Sequence, residues 1–153
     1  MIRKDKEITD PKEMAAVIGR AAYCHLSLSD GDQPYGVPLC FGFRDGVLYL
    51  HSAPKGRKLA IIEKHPKICV TFVAGAAPRP GSSPCNWTMS YESVIGFGEA
   101  EILEDPSEKR AALNVIAAQY DPGWRDDGDF PDSELKATVV IRVRLSAMTG
   151  KRG

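Results

Sequence analysis

The stretch His51-Ser52-Ala53-Pro54-Lys55-Gly56-Arg57-Lys58-Leu59 decides how this chain is read. It follows Val47-Leu48-Tyr49-Leu50, whose β-branched, aromatic and aliphatic residues predict a buried strand. It leads into Leu59-Ala60-Ile61-Ile62-Glu63-Lys64, a short apolar run stopped by Pro66 that predicts a helix. A strand therefore ends, the chain turns through Pro and Gly, and a helix opens on two adjacent cations. Helix N-termini carry free N–H groups and partial positive charge, which suits a phosphate. Arg57 adds a bidentate fork and Lys58 a point charge. The competing reading is a solvated first turn, the usual fate of surface charges. Against it, cations at this end oppose the helix dipole unless an anion compensates them.

Working outward, the preceding strand pairs into a hairpin. Tyr35-Gly36-Val37-Pro38-Leu39-Cys40-Phe41-Gly42-Phe43 predicts one strand, and Arg44-Asp45-Gly46 turns it back into residues 47–51. Pro38 within the run implies an edge, a bulge or an unpaired N–H side, and leaves room for a planar ligand against the backbone. Before it, Cys24, Leu26 and Leu28 alternate with His25, Ser27 and Ser29, which predicts a half-buried strand with His25 on its polar face. Asp30-Gly31-Asp32 makes its turn.

After the short helix, residues 68–73 predict a fourth strand, and the Pro-, Gly- and Ser-rich residues 75–84 a loop. Residues 87–103 form a long strand, with Gly96 and Gly98 marking a bulge or corner. Residues 137–145 form a sixth. Two amphipathic helices share one opening: Asp10-Pro11 with Glu13, and Asp105-Pro106-Ser107-Glu108, each an Asp N-cap, Pro at N1 and Glu at N3 in the capping-box pattern. The acidic residues 121–132 predict a polar loop. Gly128 and Glu134 there match calcium-loop spacing, but Gly123 and Arg125 occupy the first ligand positions, which argues against calcium. Gly96-Phe97-Gly98 lacks the third glycine and following helix of a dinucleotide fingerprint. Six strands joined mostly by tight turns, with three helices outside, predict a mainly β, antiparallel barrel in one domain spanning residues 1–153.

Composition narrows the function. The 153 residues balance 20 Lys and Arg against 20 Asp and Glu, so there is no electrostatic footprint for nucleic acid or an anionic membrane. Phosphate recognition must be local. No apolar run is long enough to cross a bilayer, and the polar N-terminus lacks a signal-peptide core, which points to the cytoplasm. Cys24, Cys40, Cys69 and Cys85 form no CxxC pair and, like His25, His51 and His65, show no ligand spacing, so no metal site is expected.

Five strings in order, Tyr35-Gly-Val-Pro-Leu39, residues 50–59, Ser93-Val-Ile-Gly-Phe-Gly98, Glu104-Asp-Pro-Ser-Glu-Lys-Arg110 and Met148-Thr-Gly-Lys151, resemble the flavin-binding split-barrel family around pyridoxamine 5′-phosphate oxidase. More narrowly they resemble its nitroimidazole-resistance branch. The resemblance implies a six-stranded antiparallel split β-barrel, and a homodimer with FMN, or FAD in an extended cleft, at the subunit interface. It implies that Arg57 and Lys58 hold the 5′-phosphate with Ser52, Ala53 and nearby N–H groups. Val37, Pro38 and Leu39 would lie along the isoalloxazine. His51, matching a histidine beside the flavin, would face the substrate as the catalytic candidate. Trp87, Tyr91 and Ser93 would complete the cleft from the partner subunit, their alternative being ordinary strand packing.

The further basic residues that true pyridoxamine phosphate oxidases carry near the C-terminus have no clear match here, which argues against vitamin B6 oxidation. The implied activity is an oxidoreductase passing electrons from a reduced nicotinamide to a small acceptor such as a nitroaromatic, the redox chemistry being the cofactor's. The alternatives are a flavin-storing protein without turnover, or a barrel holding haem or a deazaflavin. For haem, His51 or His65 would be the axial ligand.

Overall fold

In the computed structural model, which describes residues 3–125 and 130–153, both expected hairpins form. Strand β1 is Glu7–Ile8, followed by helix α1, Pro11–Arg20. Then come β2 (Cys24–Asp30), β3 (Gln33–Leu39), β4 (Phe41–Arg44) and β5 (Val47–Ser52). Helix α2 (Arg57–Lys64) leads to β6 (Lys67–Arg79) and β7 (Thr88–Leu103). Helices α3 (Pro106–Tyr120) and α4 (Asp132–Ala137) precede β8, Val139–Arg152. The first two residues, and the part of the acidic stretch around Gly128, lie outside the described residues.

All pairings are antiparallel, in the order β3-β2-β6-β7-β8-β5-β4, with β1 added to β8. The sheet has eight strands where six were expected. The run from Tyr35 to Phe43 breaks at Cys40 and supplies the two opposite ends of the path, β3 and β4. The strand β1 is two residues long, too short to show a period. β3 is indeed an edge, which explains how Pro34 and Pro38 are accommodated.

The sheet closes on itself. Phe41 on β4 and Phe72 on β6 lie four strands apart along the path, roughly 19 Å if the sheet were flat. Their rings meet edge to face at 5.0 Å. Both are fully buried in a core with Leu26, Leu48, Leu50 and Ile141. The seam lies between β3 and β4, which are joined by one residue and not paired. Phe97 and Gly98 carry a register shift against β8, the corner that the glycines predicted.

Several boundaries move. β6 runs on to Arg79 through part of the expected loop, bulged between Ala74 and Ala77 where Gly75 has φ +62°. β8 starts after Ala137, which ends α4, and extends to Arg152. Both Asp N-caps form: Asp10 accepts from the Lys12 N–H at 2.9 Å, and Asp105 from those of Ser107 and Glu108 at 2.9 and 3.0 Å. The N3 glutamates do not reach back as a capping box requires. Each reaches instead to an arginine of β8, Glu13 to Arg152 and Glu108 to Arg142, whose Nη1 donates at 2.8 Å. A charged acceptor met across the fold outcompetes a neutral local bond.

Candidate functional site

Helix α2 is the one long cation-led helix among the described residues, and its start differs from the other two. Gly56 at the N-cap (φ +154°) supplies no side chain, and no acidic residue lies in the first turn. The Gly56 carbonyl accepts from Leu59 and Ala60 at 3.1 and 3.3 Å. The N–H groups of Arg57 and Lys58 therefore have no acceptor within the helix. Two orphan donors, the positive end of the helix and two cationic residues thus share the first turn of α2, a combination that suits a phosphate monoester.

Long-range contacts hold this point. The Arg57 guanidinium lies 5.1 Å from the centroid of the Tyr35 ring on β3, and its Nη2 is 3.4 Å from Asp30 Oδ2 at the end of β2. Both partners of that ion pair are about half exposed, so water screens it and an arriving dianion competes with Asp30. Tyr35 aligns the guanidinium plane without neutralising it. Sequence reading placed neither Asp30 nor Tyr35 in the site, because the contact crosses the barrel between segments more than twenty residues apart. Ser52 Oγ donates locally to the Ala53 carbonyl at 2.9 Å, and Ala53 is exposed beside it.

Val37 and Leu39 pack inward against the core, while Pro38 is exposed. What β3 offers a planar ligand is thus the free backbone side of an edge strand, with Pro38 as its outward surface. The Arg57–Tyr35 contact joins this strand to the cradle. Trp87, Tyr91 and Ser93 are not brought to it within the protomer: Ser52 pairs with Val139 and Ser93 with Lys151, at opposite ends of β8. Trp87 is 57% exposed, the Tyr91 ring sits under the Lys151 ammonium at 5.9 Å, and the Tyr91 carbonyl accepts from the Gly153 N–H at 2.7 Å.

His51 follows the alternation of β5. Leu48 and Leu50 face the core, so Tyr49 and His51 face outward, toward α3 and α4. There His51 lines a cavity of about 260 Å³ with Leu113, Ile116, Ala117, Phe130, Glu134 and Thr138. Phe130 and the α4 residues were not anticipated, since residues 121–132 carry no apolar period. At the seam, Tyr120 Oη accepts from the Phe41 N–H at 3.0 Å; burial, with Cys40 and Cys24 nearby, pushes its hydroxyl up to about 12.

The sequence model of the pyridoxamine 5′-phosphate oxidase family matches residues 10–152. Among solved structures, a candidate 5-nitroimidazole antibiotic resistance protein from Bacteroides thetaiotaomicron is 32% identical, with a TM-score of 0.82 over 95% of this chain and 86% of that one. The FAD and heme binding protein of Mycobacterium smegmatis has a TM-score of 0.86 at 18% identity, over 97% of this chain and 73% of that one. The flavocytochrome Anf3 of Azotobacter vinelandii has a TM-score of 0.82 at 22% identity, over 96% and 69%. At those lower identities the likeness is one of fold. No curated protein matches.

Proposed function

Because the chain belongs to the pyridoxamine 5′-phosphate oxidase family, we propose that it is a flavin-binding oxidoreductase that takes electrons from a reduced nicotinamide and passes them to a small acceptor such as a nitroaromatic. One observation carries the reading. The uncapped start of α2, with Arg57 and Lys58 and no acidic neighbour in its first turn, is a phosphate cradle beside an edge strand able to meet a planar ring. The terminal phosphate this cradle suits favours FMN, with FAD as the alternative.

Bound flavin would supply the hydride and electron chemistry; the protein's residues bind, orient and shield it. Arg57 and Lys58, with the orphan N–H groups, fix the phosphate. The backbone of residues 37–39 faces the ring's polar edge, and Pro38 covers it. His51 faces the acceptor, where its imidazole orients a polar group or delivers a proton.

The outer face of β6 and β7 exposes four large apolar side chains, Val73, Met89, Ile95 and Phe97, the kind of surface that a partner covers. A second copy of the chain covering it would make the homodimer and bring Trp87, Tyr91 and Ser93 of one protomer toward the other's cradle.

The test is the visible spectrum of the purified protein after loading with excess FMN and removing the unbound fraction. A retained flavin band, bleached by NADH or NADPH and restored by a nitroaromatic, supports the reading. A band that no nicotinamide bleaches reduces it to flavin storage. A Soret band replaces flavin with haem. No retained chromophore overturns it.

A further inference from the structure

The cavity behind His51 is separate from the phosphate cradle and has its own chemistry. Its floor is apolar, from Leu113, Ile116 and Ala117 on α3, with Phe130 as one wall. Its polar groups are His51, Thr138 and Glu134. Neither the His51 nor the Glu134 side chain makes a hydrogen bond or ion pair among the described residues, so both are available to a ligand. The two cations of α3 next to this wall are turned onto it: Arg110 donates to the Phe130 carbonyl at 2.8 Å and lies 3.7 Å from Asp132, and Lys109 donates to the Leu135 carbonyl. Glu134 is left as the uncompensated charge of the lining.

Size sets the ligand class. A cavity of about 150 Å³ holds a benzene ring, and drug-sized ligands occupy roughly 300 Å³ or more. At about 260 Å³ this cavity matches one substituted ring. Phe130 offers a face for stacking and is backed by Trp124, whose ring lies 6.1 Å away at 31°. Trp124 is in turn fixed by its indole N–H, which donates to Asn114 Oδ1 at 2.9 Å.

We propose that this cavity between β5, α3 and α4 is the acceptor pocket, and that it selects planar single-ring compounds carrying a cationic or N–H-rich substituent through Glu134, with His51 meeting the ring's other polar edge. Its role as an acceptor pocket rests on the flavin reading; its ability to bind such rings does not. Phe130 and Glu134 are then specificity-determining residues supplied by a segment with no sequence signature.

Benzamidine and benzoate have the same shape and opposite charge, and Trp124 reports on the wall they would touch. In a Trp87→Phe background Trp124 is the remaining indole, since the chain has two tryptophans. Its emission should respond to benzamidine at concentrations at least about fivefold lower than to benzoate, the range a partly exposed ion pair supplies. Glu134→Gln should abolish the difference and Glu134→Lys reverse it; Glu134 is exposed, so neither change disturbs the core. With flavin loaded into the protein that retains Trp87, 4-nitrobenzylamine should show a lower KM than 4-nitrobenzoate, and Glu134→Gln should equalise the two KM values. Benzoate binding as tightly as benzamidine, discrimination that survives Glu134→Gln, or no Trp124 response in a folded protein would each overturn the proposal. If the Trp87→Phe protein discriminates the probes while the unmodified protein retains no flavin, the flavin reading and the acceptor role fall, and a binding site for cationic rings remains.

Discussion

The guanidinium of Arg57 lies over the ring of Tyr35, 5.1 Å from its centroid, although 22 positions separate the two in sequence. The first residue of α2 is thereby held against the edge strand β3, so the proposed phosphate cradle adjoins the strand proposed to meet the ring. Replacing Arg57 with Ala should weaken FMN binding roughly tenfold to a hundredfold, the value of one or two charge-assisted hydrogen bonds. Tyr35→Leu should cost less, because it removes alignment and leaves the charge. Asp30→Asn should act in the opposite sense and tighten binding a few-fold, since Asp30 competes for the same guanidinium at 3.4 Å. Flavin fluorescence quenching measures all three; affinity unchanged in Arg57→Ala would remove the cradle from the site.

Phe97 and Ile95 stand on the outer face of β7, 48% and 37% exposed, alternating with the buried Val94 and Gly96. If a second copy covers this face, Phe97→Asp should convert the dimer to monomer in light scattering, because it loses about 1.5–3 kcal/mol of apolar burial per protomer and buries a charge. Flavin retention should fall with it. A dimer that survives the change would place the interface elsewhere.

Gly42 on β4 is buried directly beneath α3: a Cβ there would lie 2.6 Å from the backbone nitrogen of Ile116. Backbone cannot rotate aside as a side chain can, so Gly42→Ala should destabilise the protein by about 1–3 kcal/mol. It should also displace α3 from the His51 cavity. Urea denaturation gives the first quantity, and the Trp124 response to benzamidine the second.

Cys24 is fully buried between β2 and the core, and burial pushes its thiol from an ordinary 9.0 up to about 12. Above pH 9 the unfolded chain releases this proton and the folded chain keeps it. The contribution is therefore complete below 9 and is lost as pH climbs toward 12. Tyr120, raised to about 12 chiefly by burial, acts in the same direction. Urea midpoints should fall between about pH 8.5 and about pH 11, and by less in Cys24→Ala. Iodoacetamide at neutral pH should label the exposed Cys40 and Cys85 quickly, Cys69 slowly and Cys24 only after unfolding, which mass spectrometry resolves.

Much of the local structure was legible because it rests on local physics. Asp10 and Asp105 cap the helices that their spacing announces, Pro38 marks an edge, and Gly98 marks a corner of the sheet. The misreadings have a common cause. Residues 35–43 look like one strand because Cys40 is as compatible with a strand as its neighbours. Only closure of the barrel forces a break there, sending β3 and β4 to opposite ends of the sheet. Glu13 and Glu108 look like capping-box residues until β8 places Arg152 and Arg142 within reach.

The site divides in the same way. The residues of the proposed cradle are consecutive in the chain, so the uncapped start of α2 with Arg57 and Lys58 was legible as a property of sequence order. What aligns Arg57, what lies behind His51 and which surface is left for a partner depend on contacts between distant segments. Tyr35, Glu134 and Phe130 carry no pattern of their own: Tyr35 acquires its role when closure of the barrel sets β3 against the start of α2, and Glu134 and Phe130 when α3 and α4 pack over the outer face of β5.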